Sequence, residues 1–217
     1  MSIQAFPHDA SSQTGVSRAV YSDKSRAPGR VVVARHAETS WSIAGRHTGL
    51  TDLPLLPDGE KAARSLGRRL GGLKPALVLS SPLERALDTC RLAGYGEIAE
   101  TTSLLLEMDY GDYEGLTTAE IRSRRPGWDL FIDGCPGGET IEDVGNRVDS
   151  VIERLRGDPI LRGEDVILFA HGHVLRVLTS RWLGLGAAEA RCFALRPAMV
   201  GILGWEHEWP VLAAWNS

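Results

Sequence analysis

Two histidines in this chain stand where short aliphatic runs end. Val31-Val32-Val33-Ala34 leads directly into Arg35-His36, and Val166-Ile167-Leu168-Phe169-Ala170 leads into His171-Gly172-His173. Apolar runs of this length, bounded by polar residues, read as buried parallel strands. Ligands of open α/β sheets bind at the carboxyl ends of such strands. Two imidazoles and a guanidinium converging there make a small cationic pocket with one good nucleophile, a set suited to phosphate chemistry. Phosphoryl transfer needs an in-line nucleophile, positive charge around the equatorial oxygens and a proton for the leaving oxygen. His36 is the nucleophile if one ring nitrogen is unprotonated. Arg35, and Arg85 if it folds in, lower its pKa, because like charges disfavour imidazolium. Their forked donors also suit a phosphate. His171 is the candidate second imidazole on the phosphoryl group.

The proton has to come from a carboxyl group. Glu107 directly follows the apolar run Leu104-Leu105-Leu106, whereas Asp109, Asp112 and Glu114 lie in a loop rich in Gly and Tyr. A partly desolvated carboxyl beside a phosphate dianion keeps its proton and can donate it. Glu107 is therefore the candidate acid.

These residues must be placed by alternating strands and helices. After the first strand, a loop carrying Trp41, Arg46 and Thr48-Gly49 leads to a helix over about 58–70, with Ala62, Leu66, Leu70 and Leu73 on one apolar face. A second strand over 76–79 meets Ser81-Pro82-Leu83-Glu84, which reads as a capping box with proline at the first helical position. Leu83, Ala86, Leu87 and Cys90 form that helix's apolar stripe, and Arg85 lies off it. Thr140 and Asp143 form a second capping box, before a stripe of Ile141, Val144, Val148, Val151 and Leu155. The His171 strand and a helix through Trp182 follow, and segments 200–205 and 211–215 read as a closing β-hairpin. The expected fold class is α/β, a three-layer α/β/α sandwich whose sheet is mixed but mostly parallel. Residues 1–29, rich in Ser, Ala and Asp without periodicity, read as a mobile leader. Residues 30–217 form a single catalytic domain with a short cap insertion around 108–139.

Composition narrows the function. The 217 residues are 43% hydrophobic and 24% charged, with a net charge of −4. That balance is ordinary for a globular protein and favours neither nucleic acid nor an anionic membrane as partner. No apolar stretch is long enough to span a bilayer, and no signal-peptide segment is visible. Cys90, Cys135 and Cys192 are odd in number with no close pair, which points away from a disulfide framework and toward the cytoplasm. The His171-x-His173 pair has no further ligand at close spacing, so no metal is expected.

The ordered motifs are similar to those of the histidine phosphatase superfamily, which includes the cofactor-dependent phosphoglycerate mutases. They run from Arg35-His36-Ala37-Glu38-Thr39-x-Trp41 through His47-Thr48-Gly49, Ser80-Ser81-Pro82-Leu83-Glu84-Arg85-Ala86, Glu107 and Gly137-Gly138-Glu139-Thr140 to His171-Gly172-His173. The stretches 107–115 and 133–139 most resemble the acid phosphatase and sedoheptulose-bisphosphatase branch. The resemblance implies that His36 becomes a phosphohistidine, that Arg35, Arg85 and His171 bind the phosphoryl group, and that Glu107 donates the proton. It also implies that Ser42, Thr48 and the Gly172 backbone line the phosphate site. Gly49, Tyr110 and His173 complete the candidate substrate contacts, with a buttress for His171 as the plainer reading of His173. No cofactor is implied.

Departures from the family pattern carry information. Ala37 replaces a common glycine, and is strained by about 1 kcal/mol if that position needs positive φ. Ser42 stands where mutases carry asparagine. The interval between Glu107 and Gly137 is shorter than in mutases, and a small cap shields a phosphoenzyme poorly from water, which favours a phosphatase. The expected substrate is a small phosphate ester. A mutase, a non-catalytic phosphate-binding protein and a metallohydrolase are the alternatives. Arg122, Arg124 and Arg125 read as a solvated face, or as a contact to a second acidic group of the substrate. His8, His47 and His207 read as surface residues, Trp128 and Phe131 as either rim or core, and the aromatic C-terminal hairpin as a candidate homodimer surface.

Overall fold

The protein is described by a computed structural model covering residues 29–217. His8 and all of the expected leader except Gly29 lie outside the described residues. Along the chain the elements are β1 (Arg30–Arg35), α1 (Ser40–Ala44), α2 (Pro57–Leu70), β2 (Leu77–Ser80), α3 (Glu84–Leu92), β3 (Ala99–Thr101), α4 (Thr118–Arg124), α5 (Leu130–Asp133), α6 (Ile141–Gly157), β4 (Asp165–Ala170), α7 (Gly172–Trp182), β5 (Val200–Glu206) and β6 (Trp209–Trp215).

The six strands form one mixed sheet in the order β3-β2-β4-β1-β5-β6. The first four are parallel, and β5 and β6 close it as the antiparallel hairpin. Because side chains alternate across a strand, Val31 and Val33 face one core while Val32 and Ala34 face another. The first core is filled by α6 and α7 through Val144, Val148, Val151 and Val174. The second is filled by α2 and α3 through Leu66, Leu70 and Cys90. This is the expected three-layer sandwich.

Register places the chemistry. β1 and β4 are neighbours, with Arg35 opposite Ala170. The residues one step beyond, His36 and His171, therefore emerge side by side. β2 lies on the other flank of β4 with Ser80 opposite Phe169, so Ser81 joins them.

Several local expectations need correction. Ser81 does not cap α3. Its N-cap is Leu83, without a side-chain cap bond; the Ser81 hydroxyl accepts from His171 Nε2 and, at 3.4 Å, from the Leu83 amide, while the Glu84 amide donates to the Asp52 carboxylate at 2.9 and 3.0 Å. In α2 the buried positions are Gly59, Ala63, Leu66 and Leu70, and Ala62 is only half-buried. The Thr140 capping box forms as expected, with the Asp143 amide donating to Thr140 Oγ1. The short edge strand β3 and the one-turn α5 carry too few residues to show a period. Ala37 is buried and does not have positive φ, so the conditional strain does not arise.

Candidate active site

His36 is 4% exposed, and Arg85 and His171 are fully buried. The His36 and His171 rings lie 5.2 Å apart between centroids, tilted by 56°. His36 Nδ1 is 2.7 Å from the Ala37 carbonyl oxygen. A carbonyl only accepts, so Nδ1 carries the proton and Nε2 keeps its lone pair. Burial, then the charges of Arg35 and Arg85, hold the His36 pKa well below the ordinary 6.5. The ring is thus a neutral base with its nucleophilic nitrogen unblocked. Ala37 is itself fixed, its amide donating to Thr89 Oγ1 at 2.9 Å.

Arg85 is locked from the first turn of α3. Its Nε donates to His171 Nδ1 at 3.1 Å, Nη1 to the Thr51 carbonyl, and Nη2 to those of Thr48 and Gly49. Since His171 Nδ1 accepts, its Nε2 donates to Ser81 Oγ at 2.7 Å. Burial and the guanidiniums of Arg85 and Arg35, together with His36, hold His171 neutral as well. Arg35 Nη1 donates to the Leu195 carbonyl at 2.6 Å, while its buried Nε has no partner among the described residues. Gly172 begins α7 directly over this guanidinium, and a Cβ there would sit 3.2 Å from Arg35 Cζ. Glycine lets the backbone approach.

Glu107 is 5% exposed, beside the N-terminus of α7. Its Oε1 accepts from the amides of Met108 and Val174, and its Oε2 from that of His173. The first amides of a helix carry partial positive charge and lack helical acceptors, and here they hold the acid in place. A second arginine network supports the same loop. Arg147 grips Glu139 at 2.7 and 2.9 Å and donates to the carbonyls of Leu104, Leu106 and Glu107, while Glu139 Oε2 accepts from the Asp109 amide.

The remaining candidates divide. Gly49 is buried, because a Cβ would come within 2.6 Å of the Met108 oxygen and 2.7 Å of Glu114 Oε2. Its amide donates to Glu114 and its carbonyl accepts from Arg85, so Gly49 holds the loop. Thr48 does the same through its carbonyl, and its hydroxyl donates to Arg46. Ser42 is committed to a capping box with Thr39 at the start of α1. His173 does not buttress His171. Its Nδ1 lies 2.6 Å from the Tyr110 hydroxyl, and its ring packs on Phe131 and His47. His171 and His173 therefore engage different partners. Tyr110 is buried and its pKa lies well above 10, from burial and then the Glu107 charge, so it keeps its proton.

His47 is not a surface residue. It is half-buried, its ring 4.9 Å from Tyr110 and edge-on to Trp128, and burial lowers its pKa to about 4. Trp128 and Phe131 are both buried, while His207 is exposed. His47, Trp128 and Phe131, together with Arg122 of the cap and His173 and Arg176 of α7, line a cavity of about 340 Å³. Sequence reasoning missed Ser81 as the partner of His171, Glu114 as the clamp on Gly49 and Thr51, and Arg147 behind Glu107. Only the order Gly137-Gly138-Glu139 and the buried stripe of α6 pointed toward the last.

The family model for the histidine phosphatase superfamily (branch 1) matches residues 31–217. The chain belongs to that superfamily. An acid phosphatase of Mycobacterium tuberculosis is 42% identical over 180 residues, covering 82% of this chain and 87% of the relative. A sedoheptulose 1,7-bisphosphatase of Saccharomyces cerevisiae is 37% identical over 189 residues, covering 74% and 69%. Among solved structures, an open reading frame product of Mycobacterium tuberculosis superposes with a TM-score of 0.82 at 41% identity, covering 87% of this chain and 97% of that one. The expected family and branch are both matched.

Proposed function

We propose that this histidine phosphatase is a phosphoric monoester hydrolase for small phosphorylated metabolites, working through a phosphohistidine at His36. The observation that carries the reading is the His36 ring itself: Nδ1 is tied to the Ala37 carbonyl, and the neutral ring leaves Nε2 as the nucleophile. The phosphatases among its relatives support the same reaction.

In the first step His36 Nε2 attacks phosphorus and the P–O bond to the leaving group breaks. As general acid, Glu107 gives its proton to the leaving oxygen. Arg35, with its unpaired Nε, and Arg85 balance charge on the equatorial oxygens, and His171 with Ser81 supplies a neutral hydrogen-bonding partner. In the second step water attacks phosphorus, Glu107 takes its proton, the P–N bond breaks, and inorganic phosphate leaves. His171 cannot exchange roles with His36, since its Nδ1 accepts from Arg85 Nε and its Nε2 carries the proton and donates to Ser81 Oγ.

The cap supports hydrolysis over mutase chemistry. Between Glu107 and Gly137 it holds only α4, α5 and short turns, little cover for a phosphoenzyme awaiting a second acceptor. Three free cysteines suit a reducing cytoplasm. Among the described residues no helix is long and apolar enough to cross a membrane. Trp209, exposed on the edge strand β6, marks the hairpin as the surface on which to seek a homodimer.

The test is rapid acid-free quenching during turnover of a labelled monoester. Label on the His36 imidazole is expected. Label found only on inorganic phosphate or on another side chain would overturn the mechanism.

A further inference from the structure

The hydroxyl of Thr89 is engaged at both ends. Thr89 is fully buried in α3, one turn after Arg85. Its Oγ1 donates to the Arg85 carbonyl at 2.7 Å, the usual way for a threonine to satisfy itself inside a helix. A carbonyl only accepts, so the proton is committed there and a lone pair is left facing outward. That lone pair accepts from the amide of Ala37 at 2.9 Å, 52 residues away in sequence. The Ala37 carbonyl in turn accepts from His36 Nδ1 at 2.7 Å. One buried hydroxyl thus joins the main chain of a phosphate-binding arginine to the residue that orients the nucleophile.

The chain on either side of Ala37 is pinned by backbone. The His36 amide donates to the Ala170 carbonyl at 2.9 Å, and the His36 carbonyl accepts from the Ala198 amide at 3.2 Å. Beyond Ala37, the Glu38 carbonyl accepts from the Leu56 amide at 2.9 Å. Between these fixed points the Ala37 amide is held by a side chain, that of Thr89. Ala37 is fully buried and clusters with Leu55, Ala63 and Ala198, whose side chains carry no polar atom. Without the Thr89 hydroxyl the amide would stand unpaired in that apolar cluster, a state unfavourable enough to shift the backbone.

The place of the Ala37 carbonyl matters most during reaction. As His36 Nε2 bonds to phosphorus and the P–O bond breaks, the ring gives up its lone pair and becomes cationic while Nδ1 keeps its proton. A cationic N–H donates more strongly than a neutral one, so the carbonyl binds the transition state better than the resting ring. Resting on the phosphatase reading, we propose that Thr89 is a positioning residue for the nucleophile. Its hydroxyl holds Ala37 so that the carbonyl keeps the proton on His36 Nδ1 and meets the charge that develops on the ring.

Two variants test this. Thr89→Val keeps the shape and removes the hydroxyl, whereas Thr89→Ser keeps the hydroxyl. In Thr89→Val, kcat/KM for p-nitrophenyl phosphate is expected to fall about tenfold or more, while the inhibition constant of inorganic phosphate, which reads the guanidiniums, changes by less than about twofold. Thr89→Ser should recover to within about threefold of native. Nitrogen-15 spectra of histidine-labelled protein give a second readout. His36 is expected to be protonated on Nδ1 and bare on Nε2 in the native chain and in Thr89→Ser, with that tautomer partly lost in Thr89→Val. Native kcat/KM in Thr89→Val, a phosphate inhibition constant that rises as far as kcat/KM falls, or a serine variant as slow as the valine one overturns the positioning role. Should valine unfold the chain, Thr89→Ala gives the same comparison without added bulk. A chain inert on every ester overturns the phosphatase reading, and the spectra then still decide whether Thr89 sets the tautomer.

Discussion

The floor of the site and its cap are built by different rules. The floor comes from strand ends: His36 follows β1, Ser81 follows β2 and His171 follows β4, and ladder register sets their spacing. Every side chain there is buried and tied to a backbone group or to another site residue. The cap comes from two short helices and turns, with exposed arginines at its mouth. Rigid placement suits a transition state that tolerates little error. A wall of short elements can change its lining without disturbing the sheet. On the proposed mechanism, chemistry belongs to the floor, and substrate choice to the cap.

Removing the nucleophile breaks the floor outright. His36→Ala is expected to cost roughly 10³-fold or more in kcat, with the far-UV spectrum and melting temperature near native. A folded variant retaining substantial turnover would falsify the assignment. Removing the acid sharpens the division between floor and leaving group. Glu107→Gln should cost about 10²- to 10³-fold on an alkyl phosphate and much less on p-nitrophenyl phosphate, whose leaving group needs no proton. Equal losses on both esters would mean that Glu107 acts otherwise.

A subtler change probes what stands behind the acid. Glu139→Gln weakens the pairing with Arg147 that anchors the Glu107 loop. About a tenfold fall in kcat at nearly constant KM is expected, again larger for the alkyl ester, because the effect passes through Glu107. A change in KM alone would assign Glu139 to the cap.

The smallest effect is on stability against pH. His36, His47, His171 and His173 all have folded pKa values below the unfolded 6.5, in each case mainly from burial. Between those values the unfolded chain binds more protons, so stability is complete above about pH 6.5 and falls as acid is added. For His47 the window runs from 6.5 down to about 4. Melting temperature measured from pH 7.5 to pH 5 should drop, and a His47→Gln variant should drop less steeply. A melting temperature that rises over that range would contradict the burial of these rings.

The same division explains what was readable in advance. Aliphatic runs ending in Arg35-His36 and in His171 announced the floor, because a strand's period and its end are local properties. The Thr140 capping box and the α6 stripe were local too. What failed depends on distant partners. Ser81 had the pattern of an N-cap, but a histidine 90 residues away takes its hydroxyl. His47 looked like an ordinary loop residue until Tyr110, Trp128 and His173 packed around it. Arg85 lay off the apolar stripe of its helix, and its burial follows from three loop carbonyls that wrap it. Glu114 appeared as one more acid in a Tyr/Gly loop, although it accepts from the amides of Gly49 and Thr51.

The pairing of β1 with β4 joins segments 135 residues apart, and the Ala198 amide donates to the His36 carbonyl from further still. The reactive ring is thus synthesised long before the segments that house it. A nascent or truncated chain ending before residue 198 lacks the amide that holds the His36 carbonyl, so on the proposed mechanism phosphate release doubles as a readout of completed folding.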